Sequence, residues 1–303
     1  MSKLVLWAIP VFALSMLFEL WHTRRRGAVH VYEARDAWAS IAMGFGSVVA
    51  GIPFGLGFLW LLSTLYQHRL FTVPSGAAGY VLLLLAEDLC YYWSHRVNHE
   101  VRLFWAAHVS HHSSQHYQLA TAVRQSWTQP YLMWIFWLPL PLLGFSPELI
   151  LLQQGISLIY QFFIHTQEVH TLGPLEWVMN TPSHHRVHHA VNVRYLDKNH
   201  AGIFIIWDRL FGTFVAEDKD EPVVYGITKN IETFNPFRIA FHEWSALFRD
   251  VRRAERWADK LRYLFAPPGY SHDGSTLTSK QLQAQLRATP PAVVAHRHKR
   301  AST

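Results

Sequence analysis

The chain has 303 residues, half of them apolar and only 16% charged, with a formal net charge of +6 that we assign to loops facing anionic lipid rather than to nucleic acid. Its single cysteine, Cys90, excludes an internal disulfide and any cysteine-held zinc or iron–sulfur centre built from this chain alone. A mean hydropathy of +0.05 is high for a soluble protein and low for a bundle embedded throughout, which points to several membrane spans joined to a sizeable polar part.

Residues 4–22 are long enough to cross a bilayer as a helix, and Arg24, Arg25 and Arg26 follow at once. No small-residue cleavage site precedes them, so a retained span is expected rather than a removed signal peptide. The positive-inside rule puts these arginines in the cytoplasm. Glu19, near the same end, should face protein or the interface. Residues 39–66 form a second apolar stretch, in which Gly51 and Gly55 suit close helix packing and Pro53 suggests a kink. A third span over 76–94 carries Glu87 and Asp88, which either line something functional or hold neighbouring histidines from the interface.

Residues 128–146 and 148–165 read as a hairpin of two more helices, joined at Gly-Phe-Ser-Pro-Glu. Ser146 would cap the second, with Pro147 at its first position and Glu148 at its positive end. Alternating spans then place His95 to His112, His165 and His184 to His189 on the cytoplasmic side. Beyond residue 170 no further span is evident. The stretch 247–265 reads as a basic amphipathic helix, lying on a membrane surface or packed as an ordinary surface helix. From Ser271 the chain reads as a polar, mobile tail, whose His296 and His298 are not expected to be ligands. The expected fold is all-α: an integral membrane helical bundle of about four to five transmembrane helices under a cytoplasmic helical cap that carries a histidine-rich dimetal site. Residues 1–270 would be the catalytic domain and 271–303 the tail.

Twenty histidines are the compositional anomaly, and their spacing is the motif. His95 and His99 are four apart and share a face if the segment is helical. His108 and His112 are four apart as well, with His111 beside them. Far downstream, His185, His188 and His189 repeat the His108, His111, His112 spacing. Neutral imidazole is the commonest side-chain ligand of transition metals. A mononuclear site needs only three or four ligands, so these eight together with His165 fit two metals better. The glutamate-rich pattern of soluble di-iron bundles is not evident. Two chemistries remain from the residues: oxygen activation at a redox metal that meets an aliphatic chain from the bilayer, or hydrolysis by metal-bound water, as zinc performs. The near absence of carboxylates favours oxygen chemistry.

The segments EDLCYYWSHRVNHE, LFWAAHVSHHSS, TAVRQSW, HHRVHH and WDRLFGTF together resemble the fatty acid hydroxylase/sterol desaturase superfamily of membrane di-iron enzymes. Within it, the run from Glu87 to Val224 is most similar to the branch of alkylglycerol monooxygenases and their bacterial relatives. The resemblance implies an integral membrane, O2-dependent monooxygenase with two iron ions, acting on a membrane lipid. Its active site would face the cytoplasm, in the inner membrane if the source is bacterial. The three histidine boxes map onto His95/His99, His108/His111/His112 and His185/His188/His189, and His165 matches an additional family histidine; His184 ranks below His185. Two residues take candidate catalytic roles. Glu100 follows the first box, to hold a ligand or the cofactor if it is not simply a surface carboxylate. Asn199 stands where the family has Asn-Tyr-Gly. Here that motif reads Asn199-His200-Ala201-Gly202, and we read His200 as a swap for the aromatic ring rather than a spare ligand.

Hydroxylation beside an ether oxygen would give a hemiacetal that falls apart to an aldehyde and an alcohol. Sterol, fatty acyl or carotenoid hydroxylation or desaturation would use the same site, and a zinc-dependent membrane hydrolase is the alternative class. The animal alkylglycerol enzymes are longer and carry additional membrane helices, and a cytochrome b5-like domain is absent here. The reductant, a tetrahydropterin or a separate electron-transfer protein, is therefore expected from outside the chain.

Overall fold

A computed structural model describes residues 3–27 and 32–288. Three long helices open the chain: α1 Lys3–Arg25, α2 Ala34–Gln67 and α3 Ala77–Glu100. Short segments follow: α4 Arg102–Ala106, α5 Val109–His112, α6 Leu119–Ala122, α7 Pro130–Met133 and α8 Pro139–Leu142. Then come α9 Pro147–Ile164, α10 Pro182–His188, α11 Ile206–Leu210, α12 Pro236–Arg253, α13 Trp257–Phe265 and α14 Ser279–Ala288. Among the described residues the only β pairing is two isolated bridges, Met179 with Phe204 and Ala190 with Tyr225. The all-α expectation holds.

Of the five expected spans, two are long and apolar enough to cross a membrane by length and composition: α1 and α2. Both turn large apolar side chains outward, Trp7, Phe45 and Leu56 among them. The others differ. α3 carries Glu87 and Asp88, both buried. The stretch 128–146 is not one straight helix but α7, a 3-10 turn over Trp134–Trp137 and α8. Pro139 and Pro141 lie in that run, and proline removes a backbone donor and crowds the preceding turn. α9 begins as expected, with Ser146 Oγ accepting from the Leu149 amide and Pro147 at the first turn. Leu62 of α2, Leu83 of α3, Leu140 of α8 and Ile150 of α9 meet in the largest apolar cluster and clamp these elements together.

The close glycines of α2 are not the expected pair. A side chain on Gly55 would meet open space, whereas a Cβ on Gly44 would come 2.5 Å from the Val123 carbonyl and one on Gly46 would run into the Trp127 ring. Helix α2 is assigned unbroken through Pro53.

One end of the bundle is tied together by buried polar groups. Glu19, near the basic end of α1, accepts from the Leu119 amide and the Thr166 hydroxyl, both at 2.8 Å. Asp36, at the start of α2, pairs with Arg124 at 3.0 Å and accepts from Ser114 Oγ at 2.6 Å. Glu19, Asp36 and Arg124 are all buried. Polar groups this deep are tolerated only when they are satisfied. The last turn of α3 and the end of α9 lie at the same end, so α1, α2, α3 and α9 all deliver their termini to one place.

The basic stretch 247–265 is two helices, the end of α12 and α13, broken at Ala254. The segment expected as a mobile tail is in part docked: residues 279–288 form α14, and Gln283 Nε2 donates to the carbonyls of Val193 and Leu196 at 3.2 and 2.9 Å. These two bonds go to backbone carbonyls, which carry no signal in the sequence. His296 and His298 lie outside the described residues.

Candidate metal centre

The structure brings all nine expected histidines together, in two buried groups. His95, His99, His108, His112 and His188 form group one; His111, His165, His185 and His189 form group two. Within each group the nitrogens lie within 4.8 Å of one another. The helical register explains the partition. His95 and His99 are stacked on the last turns of α3. In the second box the i, i+4 pair His108/His112 serves group one and His111 turns to group two. The third box does the reverse: His185/His189 serve group two and His188 crosses to group one. The same spacing is thus used twice with opposite sense, and each group draws on both boxes.

Outer hydrogen bonds fix how the rings present themselves. His165 Nδ1 donates to the Gln161 carbonyl at 2.6 Å and His111 Nδ1 to the Arg124 carbonyl at 3.3 Å. A neutral imidazole has one donor and one acceptor nitrogen. Both Nε2 atoms are therefore bare lone pairs, yet they face each other at 3.2 Å, and His185 Nε2 stands 3.0 Å from that of His165. In group one, His95 Nδ1 donates to the His200 carbonyl and His188 Nδ1 to the Lys198 carbonyl, at 2.8 and 2.9 Å. Asp197 Oδ1 lies 3.6 Å from His99 Nδ1. The Nε2 atoms of His99 and His188 have no partner, and that of His95 is 3.1 Å from His108 Nε2. Facing lone pairs repel unless a cation lies between them, so the donor set fits a metal ion in each group.

Burial first, and the neighbouring rings second, push His108, His112, His185, His188 and His189 well below the ordinary histidine range. Burial holds His165 at about 4. At neutral pH these six rings are uncharged, the form that ligates metal. All-imidazole sets suit iron, copper, nickel or zinc.

The loop from Asp197 to Gly202 is the outer support of group one, because three of the five rings lean on it. Asp197 and Asn199 both sit in the left-handed region, at φ 55 and 54, which Asp and Asn tolerate better than most residues. Asn199 does not reach the rings. Its Nδ2 donates to the His184 and Val215 carbonyls at 3.0 and 2.7 Å, and its Oδ1 accepts from the Val215 amide at 2.9 Å. Asp208 accepts from the amides of His200 and Ala201, both at 2.8 Å. Asp88 takes the amides of Ile203 and Phe204 and the Trp207 indole. The acidic pair of α3 therefore holds no histidine: Asp88 holds this loop, and Glu87 accepts from Trp137.

Glu100 is not brought to the rings either; it pairs with Arg96 at 3.1 Å near the surface. His184 is buried beside Phe214 and belongs to neither group. His200 is fully buried 5.1 Å from the His99 ring, with neither nitrogen partnered. The supports missed by sequence reasoning are mostly backbone carbonyls, which carry no side-chain signal. A cleft of about 100 Å³ reaches His99, His112 and His188, walled by Trp105 and Asp197 and lined on another side by Leu277 and Leu282.

Residues 80–213, which contain both groups, match the fatty acid hydroxylase family. Human alkylglycerol monooxygenase is 40% identical over 270 residues, covering 87% of this chain and 59% of that protein. The zebrafish enzyme of the same name is 46% identical over 190 residues, 63% of this chain and 42% of the relative. An ornithine lipid hydroxylase of Rhizobium tropici is 27% identical over 152 residues, 50% of this chain and 46% of the relative. The chain thus spans about half the length of the curated relatives it matches. No solved structure is significantly similar to it. The resemblance carried by the histidine boxes holds.

Proposed function

From the chain's place in the fatty acid hydroxylase family, we propose that it is a membrane-bound oxidoreductase that uses O2 to hydroxylate a lipid C–H bond at a pair of iron ions held by the two histidine groups. The single observation that carries this is the convergence of nine buried imidazoles in two groups, with the bare Nε2 atoms of His111 and His165 facing each other. Iron bound there supplies the one-electron and oxygen chemistry that zinc lacks.

The chain's own residues do the rest. His95, His99, His108, His112 and His188 hold one ion, and His111, His165, His185 and His189 the other. The carbonyls of Gln161, Arg124, Lys198 and His200 keep the Nδ1 protons in place and aim each Nε2 inward. The cleft against His99, His112 and His188 admits the reacting carbon, and Trp105 and Leu282 wall it with apolar surface. One oxygen atom goes into the C–H bond and the other leaves as water, which takes two protons and two electrons, the electrons from a donor outside the chain, a tetrahydropterin or an electron-transfer protein.

Relatives named for alkylglycerols support an ether lipid as substrate. Hydroxylation of the carbon beside the ether oxygen gives a hemiacetal, which collapses to an aldehyde and an alcohol. The basic end of α1 supports a cytoplasm-facing site, because Arg26 pairs with Glu168 at 3.2 Å, three residues beyond His165. The test is turnover of an alkylglycerol by the iron-loaded chain supplied with a tetrahydropterin or another electron donor, with and without O2. Aldehyde formed only with O2 supports the reading, and lipid cleavage that persists without O2 points to hydrolysis.

A further inference from the structure

We propose that α12 and α13 form a membrane-surface anchor whose arginines bind the headgroups of anionic phospholipids. This rests on the membrane reading above and assigns a surface outside the metal centre.

Helix α12 has two unlike sides. Ile239, Ala240 and Leu247 are buried against the protein, and Glu243 and Asp250 on the same side pair with Arg102 at 2.8 and 2.7 Å. The opposite side is open. Phe237, Phe241 and Phe248 fall at i, i+4 and i+11, within about 40° of one another around a 3.6-residue helix, and they are 67%, 40% and 58% exposed. Beside this apolar ridge run Arg249, Arg252 and Arg253, exposed and without an ion pair among the described residues. Arg249, Arg252, Arg253, Ser245 and Phe248 line one shallow groove.

The ridge leads to α2. Trp127 packs edge-on against Phe237 and Phe241 at 5.0 and 5.8 Å, and its indole donates to the Met43 carbonyl of α2. The ridge therefore lies beside the outward face of α2, where Trp38 and Phe45 are 70% and 72% exposed. Across Ala254, α13 repeats the pattern: Trp257, Leu261 and Phe265 stand at i, i+4 and i+8, all exposed, with Lys260 over the Trp257 ring. Phenylalanines flanked by unpaired arginines, continuous with a transmembrane face, match the boundary between acyl chains and headgroups. Three free guanidiniums select a negatively charged headgroup over a zwitterionic one.

The experiment uses the full chain in lipid nanodiscs, with Cys90→Ala removing the native thiol and a fluorophore on Phe248→Cys or, as a reference, on Phe45→Cys. Nitroxide-bearing lipid reports contact. We expect quenching at both positions, and quenching at 248 that is stronger with phosphatidylglycerol than with phosphatidylcholine and weakens with salt. Replacing all three arginines by glutamine should abolish the lipid preference, on the order of a hundredfold in partition at about one kcal/mol per basic residue, while iron content stays unchanged. Inorganic phosphate in solution should not reproduce the shift. Quenching at 45 but not at 248 would overturn the anchor alone, whereas no quenching at either would overturn the membrane reading with it. Equal quenching in both lipids would show that the arginines do not select charge.

Discussion

Asn199→Ala tests the outer support of group one. The substitution removes two hydrogen bonds from Nδ2 and one to Oδ1, the one to His184 fully buried and the two to Val215 partly buried. At about 1 kcal/mol net for each bond, and roughly 1 kcal/mol for alanine in a left-handed conformation, the loss is about 4 kcal/mol. The Asp197–His200 loop would then release the carbonyls that orient His95 and His188 and the carboxylate beside His99. Outer-shell losses of this kind typically weaken metal binding about 10- to 100-fold. The loss should fall on group one alone, because His111 and His165 take their carbonyls from Arg124 and Gln161. Iron titration with thermal unfolding of the loaded and metal-free chain reads both effects. Asn199→Gly, which relieves the backbone, should recover the strain but not the metal affinity. Full iron binding at both groups in Asn199→Ala would refute the reasoning.

His188→Ala and His108→Ala should each lower the iron content through group one, and His185→Ala through group two, while the protein still inserts; turnover retained in any of them would count against the site. Asp36→Ala strands Arg124 among Ser40, Ser110 and Ser113. It should cost about 3–5 kcal/mol in denaturant unfolding, and a cost under about 1 kcal/mol would mean that the pair contributes little. In the metal-free chain, burial depresses His165 and His184 from 6.5 to about 4. The folded state therefore binds fewer protons than the unfolded state, and stability is intact above pH about 6.5 and lost as pH falls toward 4, by on the order of 3 kcal/mol for each group. A flat unfolding profile across that window would contradict their burial.

How far the sequence reaches depends on what kind of group makes each contact. The nine histidines are legible because ligand chemistry needs them at helical spacings, and side-chain identity is what a sequence displays. Their partition is not, since His111 and His188 cross between groups only once α5 and α10 are packed face to face. Nor are the carbonyls of Gln161, Lys198 and His200, which any residue could supply. Asn199 stands out by its motif, but only the structure shows that it grips His184 and Val215 rather than the rings. The apolar run 128–146 has the composition of a span, yet Pro139 and Pro141 lie in a run split into short segments. Residues 279–288 are polar enough to read as tail, and Gln283 docks them through two carbonyls.

The most direct measurement is the metal content of the protein expressed with iron and purified without oxygen, beside the His188→Ala variant. The account predicts one iron for each of the two groups and loss from group one in the variant. Zinc alone, with no iron taken up under reducing conditions, would contradict it.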